Sequence, residues 1–246
     1  MLWTEQNIKP NIFFPLILLP TVLWFMLAKK IRQRPTYEFE TEVQKEVSGP
    51  IAGVDEAGRG PWAGPVVAAA VILNPSHIPV GIDDSKALDP KKRDILYADI
   101  LKSGASFGIG IADVARIDQD NILNASLWAM AEAINSLPLS PLCALIDGKI
   151  APNVKCQTRT LIQGDRKSLS IAAASILAKV IRDRIMCDYD IEYPGYGFAR
   201  HKGYGTSEHM NALISLGISP IHRRTFKPIQ ILIGRASNKI DKKAVL

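Results

Sequence analysis

The stretch that decides the fold is Ile51-Ala-Gly-Val-Asp55-Glu56-Ala-Gly58-Arg59-Gly60. A short apolar run leads into two adjacent carboxylates, and a Gly-Arg-Gly turn follows them directly. Beyond Pro65, the apolar and partly β-branched run from Val66 to Leu73 predicts a second buried strand. The pattern predicts two strands of one sheet, with an acidic strand end and a glycine turn between them. Asp and Gly are also common in polar hairpin turns, so this stretch alone leaves both interpretations open.

Asp55 and Glu56 are neighbours in the sequence, and this limits how they can serve one site. In a regular strand their side chains would point to opposite faces of the sheet. If both carboxylates bind one ligand, Glu56 must already have left the strand, and the glycines that follow supply the backbone freedom for this. A shared site therefore predicts that the regular strand ends before Glu56.

Two further apolar segments end at an aspartate beside a glycine. Residues 142–146 lead into Asp147, and residues 158–162 lead into Gln163-Gly164-Asp165. In an open α/β sheet, ligands bind beyond the strand ends, where the strand order reverses. Each aspartate alone is more readily explained as a turn or helix-cap residue, but the repetition at three strand ends favours one shared site. Its candidate members are Asp55, Glu56, Asp147 and Asp165.

Four carboxylates in one place would repel one another unless cations lay between them. Oxygen ligands select hard divalent ions, so this set predicts Mg²⁺ or Mn²⁺ as the cofactor. Two such ions roughly 4 Å apart would activate a water molecule and stabilise the leaving oxygen of a phosphodiester. The carboxylates therefore indicate metal-dependent hydrolysis.

Strands and helices alternate along the remainder of the chain, which predicts the α/β class. We expect helices at 90–102, 114–137 and 168–184 and a third strand at 106–111. The alanine-rich first half of the last helix would let it pack closely on the sheet. Residues 35–48 are acidic and predict a linker or a short helix, so the folded domain is expected to begin near Gly49.

The ends of the chain differ in composition from its middle. Residues 12–28 are almost entirely apolar and precede a basic cluster, but Pro15 and Pro20 weaken a membrane helix. An amphipathic surface segment or an upstream extension is favoured over a membrane anchor, so membrane contact through 12–28 is not the preferred interpretation. The formal net charge is +6, and residues 223–246 carry seven Lys or Arg and one Asp. Such an end suits a phosphate backbone, but it is equally typical of a solvated tail.

The three cysteines are widely spaced and form no zinc-binding pattern. An odd number leaves one thiol unpaired in any disulfide scheme, so reduced thiols and a cytoplasmic location are expected.

In its motifs the chain resembles bacterial ribonuclease HII over roughly residues 50–230. The matching motifs are Gly53-Val-Asp-Glu-Ala-Gly-Arg-Gly60, Asp84-Ser-Lys86, Ile146-Asp-Gly148, Gly164-Asp165 with the segment Ser170 to Lys179, and His201-Lys-Gly-Tyr204. The resemblance implies a ribonuclease H-like mixed sheet flanked by helices, with a short helical C-terminal part. It also implies a catalytic domain at 49–228, between an apolar extension at 1–48 and a basic tail at 229–246.

The implied activity is endonucleolytic cleavage of RNA in RNA/DNA hybrids and incision 5′ to single ribonucleotides in duplex DNA, giving 3′-hydroxyl and 5′-phosphate ends. By position, Asp55, Glu56, Asp147 and Asp165 correspond to the catalytic, metal-binding carboxylates, with Mn²⁺ or Mg²⁺ as the ion. The resemblance assigns Gly58, Arg59 and Gly60 to backbone contact with the ribose 2′-hydroxyl, the group that distinguishes RNA from DNA. It assigns Tyr204 to stacking on the next sugar and Lys86 to a phosphate.

Some alternatives stay open. Lys86 could begin a helix with a solvated ammonium group, and Tyr204 could be an ordinary loop aromatic. Gln163 stands where the family commonly has a lysine, so one positive charge is missing. One rival interpretation keeps the fold but cuts long hybrids only. The rival from another class is a membrane-tethered nucleic-acid-binding protein. A monomer is the default expectation.

Overall fold

The structure is a computed structural model and describes residues 34–234. The segment 12–28 and residues 235–246 of the basic tail lie outside the described residues. The strands are β1 (Ile51–Ala57), β2 (Val66–Ile72), β3 (Ser106–Ala112), β4 (Cys143–Asp147) and β5 (Gln157–Leu161). The helices are α1 (Glu38–Glu46), α2 (Pro90–Lys102), α3 (Val114–Asn135), α4 (Leu169–Glu192), α5 (Phe198–His201) and α6 (Ser207–Leu216). Short 3₁₀ turns occupy Ser85–Ala87 and Gly164–Arg166, and residues 227–234 are helical.

The five strands form one mixed sheet in the order β3-β2-β1-β4-β5. Strand β2 pairs antiparallel with both β1 and β3, whereas β4 pairs parallel with both β1 and β5. The strand that carries Asp55 is therefore the central one. The parallel pairing places the ends of β1, β4 and β5 at one edge of the sheet.

Helices cover both faces of the sheet because every strand near its centre is apolar on both sides. The alanines of α3 at 125, 129 and 133 pack on one face, against Val54 and Ile146. The alanine-rich start of α4 packs on the other face with α2, against Ala69 and Val71. At Gly53 the approach is so close that a Cβ atom would lie 2.1 Å from the carbonyl carbon of Ser170. Glycine in β1 thus lets the beginning of α4 lie directly on the central strand.

The compact unit that contains the sheet begins at Arg34, before the domain start expected near Gly49. Residues 35–48 form the short helix α1, and Val43 of α1 is buried with Ile51, Leu145 and Ile171. Thr36 also bridges to Ser168, with Thr36 N donating to the Lys167 carbonyl at 3.0 Å. The segment is part of the fold rather than a linker, because it contributes to the core.

The predicted helices and strands are confirmed, and all but one end within two residues of the expected bounds. The helix expected at 90–102 has those bounds, whereas α4 continues well beyond residue 184, to Glu192. Helix α3 is kinked at Asn121, whose φ of 67° lies outside the helical region. All three cysteines are free thiols. Among the described residues, no helix combines the length and apolar character needed to span a membrane.

Candidate active site

Three aspartates meet at the edge of the sheet where β1 and β4 end. Side chains alternate along a strand, so Asp55 and Asp147 both lie on the face covered by α4. Asp165 belongs to the 3₁₀ turn directly before α4, on the same side. One carboxylate oxygen from each of the three residues lies within 4.8 Å of the others. The structure therefore brings together three of the four carboxylates that the sequence predicted.

Backbone hydrogen bonds hold two of these aspartates in place. Asp147 Oδ1 accepts from Gly164 N at 2.7 Å, and this bond fixes the loop that carries Asp165. Gln163, which precedes that glycine, adopts a left-handed conformation with φ 57°. Asp55 Oδ1 accepts from the amide of Glu56 at 2.7 Å. A backbone amide thus orients one carboxylate oxygen of Asp147 and one of Asp55.

Glu56 lies beside the three aspartates but on the other face of β1. The strand continues to Ala57, so Glu56 has not left the strand as a shared site would have required. Its Oε1 accepts from Arg59 Nη1 at 3.2 Å. Its Oε2 is buried and has no hydrogen-bond partner in the described part of the chain. Glu56 is close enough for Asp147 to raise its pKa, after the larger effect of burial.

The electrostatics of the cluster fit a divalent cation. Burial, and then repulsion from Glu56 and Asp147, holds the pKa of Asp55 well above its usual range. Burial and the charge of Asp147 likewise raise the pKa of Asp165. Buried carboxylates that repel one another, and the unpartnered oxygen of Glu56, are the donor set that a hard cation would satisfy. Asp55, Asp147 and Asp165 would hold the ion, with Glu56 adjacent.

Lys86 extends over this cluster from the 3₁₀ turn Ser85–Ala87. Its Nζ lies 3.5 Å from Asp165 Oδ2, and its side chain is largely exposed. Burial lowers the pKa of Lys86, but the charges of Asp55, Asp165 and Asp84 together raise it. Asp84 caps this turn by accepting from Lys86 N at 2.9 Å, and it also pairs with Arg166. The exposed ammonium group is thus held at the carboxylates and remains accessible to a phosphate.

The Gly-Arg-Gly turn and Tyr204 line the same cleft as the acids. A cavity of about 290 Å³ is bounded by Asp55, Glu56, Ala57, Gly58, Arg59, Gly60, Ser85, Lys86, Lys179, Arg182 and Tyr204. Gly58 has φ 101°, a conformation that favours glycine. At Gly60 a Cβ atom would lie 3.6 Å from the Tyr204 ring, so the ring lies directly against the turn. Tyr204 remains 46% exposed, which leaves much of its ring open to a ligand.

Buried histidines hold the loop that carries Tyr204. His209 Nδ1 donates to the Tyr204 carbonyl at 3.0 Å, so its Nε2 accepts from His222 Nε2 at 2.9 Å. His222 Nδ1 in turn accepts from Ser219 N at 3.0 Å. With both rings neutral, each hydrogen bond of this chain has one donor and one acceptor. Burial lowers the pKa of each ring to about 4, with a further lowering of the His222 pKa by His209.

We expect this pair to destabilise the protein in acid. Because both pKa values are lowered on folding, the unfolded chain binds more protons between about pH 4 and 6.5. The free energy of unfolding should therefore fall as the pH drops from 6.5 to 4, by at most about 2.7 kcal/mol per pH unit for two protons. The raised pKa values of Asp55 and Glu56 act in the opposite direction, so the measurement is the difference between wild type and His222→Asn in denaturant unfolding. The exposed His77→Gln is the control, and a difference that does not change with pH would contradict the prediction.

Two residues that line the cleft, Lys179 and Arg182, were not predicted from the sequence as site residues. Both lie on α4, three residues apart and therefore on one helix face, which is the signal that could have revealed them. Lys179 Nζ pairs with Asp183 Oδ1 at 2.6 Å. A third residue beyond the predicted set, Arg223, binds carbonyl groups of the Gly-Arg-Gly turn.

A mixed sheet flanked by helices, with carboxylates that converge at its central strands, defines a ribonuclease H-like, metal-dependent nuclease. The family model for ribonuclease HII matches residues 52–229, most of the chain. The chain belongs to the ribonuclease HII family. Its activity is accordingly of the ribonuclease H type, the divalent-metal-dependent hydrolysis of RNA in RNA/DNA hybrids.

Individual relatives agree with this assignment. The ribonuclease HII of Coxiella burnetii is 54% identical over 182 residues, which cover 74% of this chain and 90% of the relative. That of Bradyrhizobium sp. (strain BTAi1) is 51% identical over 195 residues, covering 79% of this chain and 67% of the relative. The crystal structure of the ribonuclease H2 from Pyrococcus horikoshii OT3 matches with a TM-score of 0.65 at 26% identity, over 75% of this chain and 97% of that one. Bst-RNase HIII, solved in complex with Mn²⁺, matches at TM-score 0.61 and 17% identity over 81% of each chain, which shows the fold alone.

Proposed function

We propose that this enzyme also incises duplex DNA 5′ to a single embedded ribonucleotide and leaves 3′-hydroxyl and 5′-phosphate ends. The observation that carries the proposal is that one cleft joins three kinds of group. These are the carboxylates of Asp55 and Glu56, the Gly58–Gly60 turn, whose backbone is accessible, and the exposed ring of Tyr204. The ring lies directly against the turn, which supports a site that contacts both a ribose and the nucleotide next to it.

The carboxylates hold the metal in this proposal. Asp55, Asp147 and Asp165 converge on one point, and Glu56 contributes its free oxygen from the other face of β1. A bound Mn²⁺ or Mg²⁺ supplies Lewis acidity for water activation and for the departing oxygen. Lys86 binds a substrate phosphate next to Asp165 and so positions the strand over the carboxylates.

The Gly58–Gly60 turn is suited to read a ribose 2′-hydroxyl. The carbonyls of Gly58 and Arg59 are occupied by Arg223, whereas the amides of Arg59 and Gly60 have no acceptor within residues 34–234. Both residues are exposed. Free amides at the surface of the cleft can donate to a hydroxyl oxygen, and a deoxyribose offers no such oxygen. This supports selection of the ribonucleotide by the backbone.

Tyr204→Ala should impair recognition of the junction between RNA and DNA. Stacking of an aromatic ring on a nucleotide contributes roughly 1–3 kcal/mol, so we expect incision at a single ribonucleotide to slow by about tenfold or more. Cleavage within a continuous hybrid should change by less than threefold, roughly, because no junction is read there. Rates on the two substrates are compared for wild type, Tyr204→Ala and Tyr204→Phe, the last of which keeps the ring. Equal losses on both substrates would rule out the junction-sensing role.

The proposed function itself is tested with the full chain and Mn²⁺ or Mg²⁺. The substrates are a DNA duplex with one ribonucleotide, a continuous RNA/DNA hybrid and an all-DNA duplex. Incision 5′ to the ribonucleotide, with product ends identified by ligation and by phosphatase treatment, is the expected result. Cleavage of the hybrid alone would replace the proposal with the narrower activity. Metal-independent binding without cleavage would favour the rival binding protein.

We also propose a monomer that acts in the cytoplasm on hybrids and ribonucleotide-containing duplexes. The free thiols of Cys143, Cys156 and Cys187 support a reducing compartment. The division into an extension at 1–48, a catalytic domain at 49–228 and a basic tail at 229–246 remains a proposal. The burial of α1 favours moving the start of the catalytic domain to Arg34.

A further inference from the structure

Two buried arginines lie directly beneath the cleft, and both donate only to backbone carbonyls. Arg182 of α4 contacts three of them: Nε donates to Pro65 O at 2.9 Å, Nη1 to Lys202 O at 3.0 Å and Nη2 to Ala63 O at 3.2 Å. Its side chain thereby links the segment after the Gly-Arg-Gly turn to the loop that carries Tyr204.

Arg223 binds both the turn itself and the segment that follows it. Its Nη1 donates to Arg59 O at 3.0 Å and its Nη2 to Gly58 O at 2.5 Å, at the start of the turn. Its Nε donates to Gly64 O at 2.9 Å, and Nη2 also reaches that carbonyl at 2.8 Å. The guanidinium group thus joins the start of the turn to Gly64 as a rigid fork, a geometry that a single ammonium group cannot reproduce.

Neither guanidinium group forms an ion pair with a carboxylate in the part of the chain that the structure describes. Burial, and then the neighbouring charge of Arg182, lowers the pKa of Arg223 to about 9. Both residues are at most 1% exposed, and a guanidinium group keeps its proton at neutral pH. Two like charges buried together are unfavourable, and apolar residues could fill the same volume more favourably. The arrangement therefore indicates a role that packing alone does not require.

Glycine at position 58 is required by this arrangement as well as by its backbone conformation. A Cβ atom there would lie 2.1 Å from Arg182 Nε and 2.6 Å from Pro65 O. The backbone of the turn therefore rests directly on the Arg182 side chain. Any shift of that side chain would be transmitted to the amides of Arg59 and Gly60, which we propose read the ribose.

We propose that Arg182 and Arg223 are positioning residues that fix the Gly58–Gly60 turn relative to Tyr204. The inference rests on the proposed function, in which the turn reads the 2′-hydroxyl and Tyr204 reads the following sugar. Arg223 holds the turn, and Arg182 joins the far side of the turn to the carbonyl of Lys202, two residues before Tyr204. Because Arg223 occupies the carbonyls of Gly58 and Arg59, the amides of Arg59 and Gly60 are the groups of the turn that face the substrate.

Lysine substitution separates geometry from charge. Arg223→Lys keeps a cation beneath the turn but loses the fork that binds Gly58, Arg59 and Gly64 together. A displacement of about 1 Å at a reacting site can slow a reaction by about 100-fold, and we expect a loss of that order in kcat for incision at a single ribonucleotide. KM and the dependence of duplex affinity on salt should stay as in the wild type, because the charge is retained.

The experiment compares full-length wild type, Arg223→Lys, Arg182→Lys and, as the matched control, Arg116→Lys. Arg116 is more exposed and pairs with Asp120 on α3. Cleavage rates are measured on the single-ribonucleotide duplex and on the continuous hybrid. Duplex affinity is measured in EDTA over a range of salt concentrations. Thermal unfolding with and without Mn²⁺ establishes that each variant is folded and still binds metal.

A selective loss of kcat in Arg223→Lys and Arg182→Lys, with wild-type affinity and a wild-type control, is the expected result. Wild-type incision by both lysine variants would overturn the inference. So would a loss confined to affinity, because it would show that the arginines support duplex binding rather than the geometry of the reacting groups. If Arg223→Lys does not fold, Arg182→Lys decides, because the Arg223 contacts with the turn remain in that variant. If wild type cuts hybrids but not the single-ribonucleotide duplex, the proposed function fails, and kcat on the hybrid then tests the positioning role.

Discussion

Asp55→Asn is expected to lower cleavage of every substrate by at least about 10³-fold, since several kcal/mol of metal-dependent stabilisation would be lost. Asp55 is buried at the end of the central strand, and one of its carboxylate oxygens lies close to an oxygen of Asp147 and an oxygen of Asp165. Asparagine retains the shape of the side chain but removes the negative charge that a divalent cation requires. The measurement is the single-turnover rate with Mn²⁺ and with Mg²⁺.

The same substitution should leave the metal-free protein at least as stable as wild type. Burial and the charges of Glu56 and Asp147 raise the pKa of Asp55, so ionised Asp55 destabilises the fold at neutral pH. Asparagine removes this repulsion. We therefore expect an equal or higher melting temperature in EDTA, together with a smaller increase on addition of Mn²⁺. Asp99→Asn, at an exposed position on α2, is the control for both measurements. Ample residual cleavage, or a Mn²⁺-induced shift as large as that of wild type, would contradict the assignment of Asp55 to the metal site.

The acidic strand ends were predictable from sequence because each one combines three local signals. An apolar run, an aspartate and a glycine nearby recur at Asp55, Asp147 and Asp165, and the strand ends of a partly parallel sheet meet at one edge. The position of Glu56 was not predictable in the same way. Whether β1 ends before or after Glu56 depends on its pairing with β2, in which Glu56 lies opposite Ala68. That pairing extends the strand and directs Glu56 to the face covered by α3.

The supports of the cleft could not be predicted because their partners are backbone atoms distant in sequence. Arg223 binds carbonyls that precede it by well over a hundred residues, and nothing in its own neighbourhood indicates this. The residues next to an arginine in the sequence do not show whether its side chain is exposed or is buried against carbonyl groups. The histidines at 201, 209 and 222 are similar, because they meet only when α5, α6 and the segment that contains His222 pack together. The ring centroids of His201 and His209 are then 4.4 Å apart.

Glu40→Ala should destabilise the fold strongly although the residue lies before the sequence-predicted domain. Glu40 is fully buried, and its Oε1 accepts from Ser168 Oγ at 2.5 Å, Ser170 N at 2.9 Å and Ser170 Oγ at 2.5 Å. These donors form the first turn of α4, where orphan amides and the helix dipole favour a carboxylate. Leaving such donors buried without an acceptor costs about 1–3 kcal/mol per group, so we expect a loss of at least about 2 kcal/mol in the free energy of unfolding.

Glu40→Ala should also weaken the metal site, because this site lies next to the beginning of α4. Asp165 lies in the turn immediately before this helix, and Gly53 of β1 rests on its first residues. If α1 anchors that end of α4, Glu40→Ala should lower both the melting temperature and the affinity for Mn²⁺, whereas Glu42→Ala on the exposed side of α1 should change neither. Denaturant unfolding and Mn²⁺ titration give the two readings. A variant as stable as wild type would show that α1 only covers the sheet, and a fragment beginning at Gly49 would then be expected to fold and bind metal as the whole chain does.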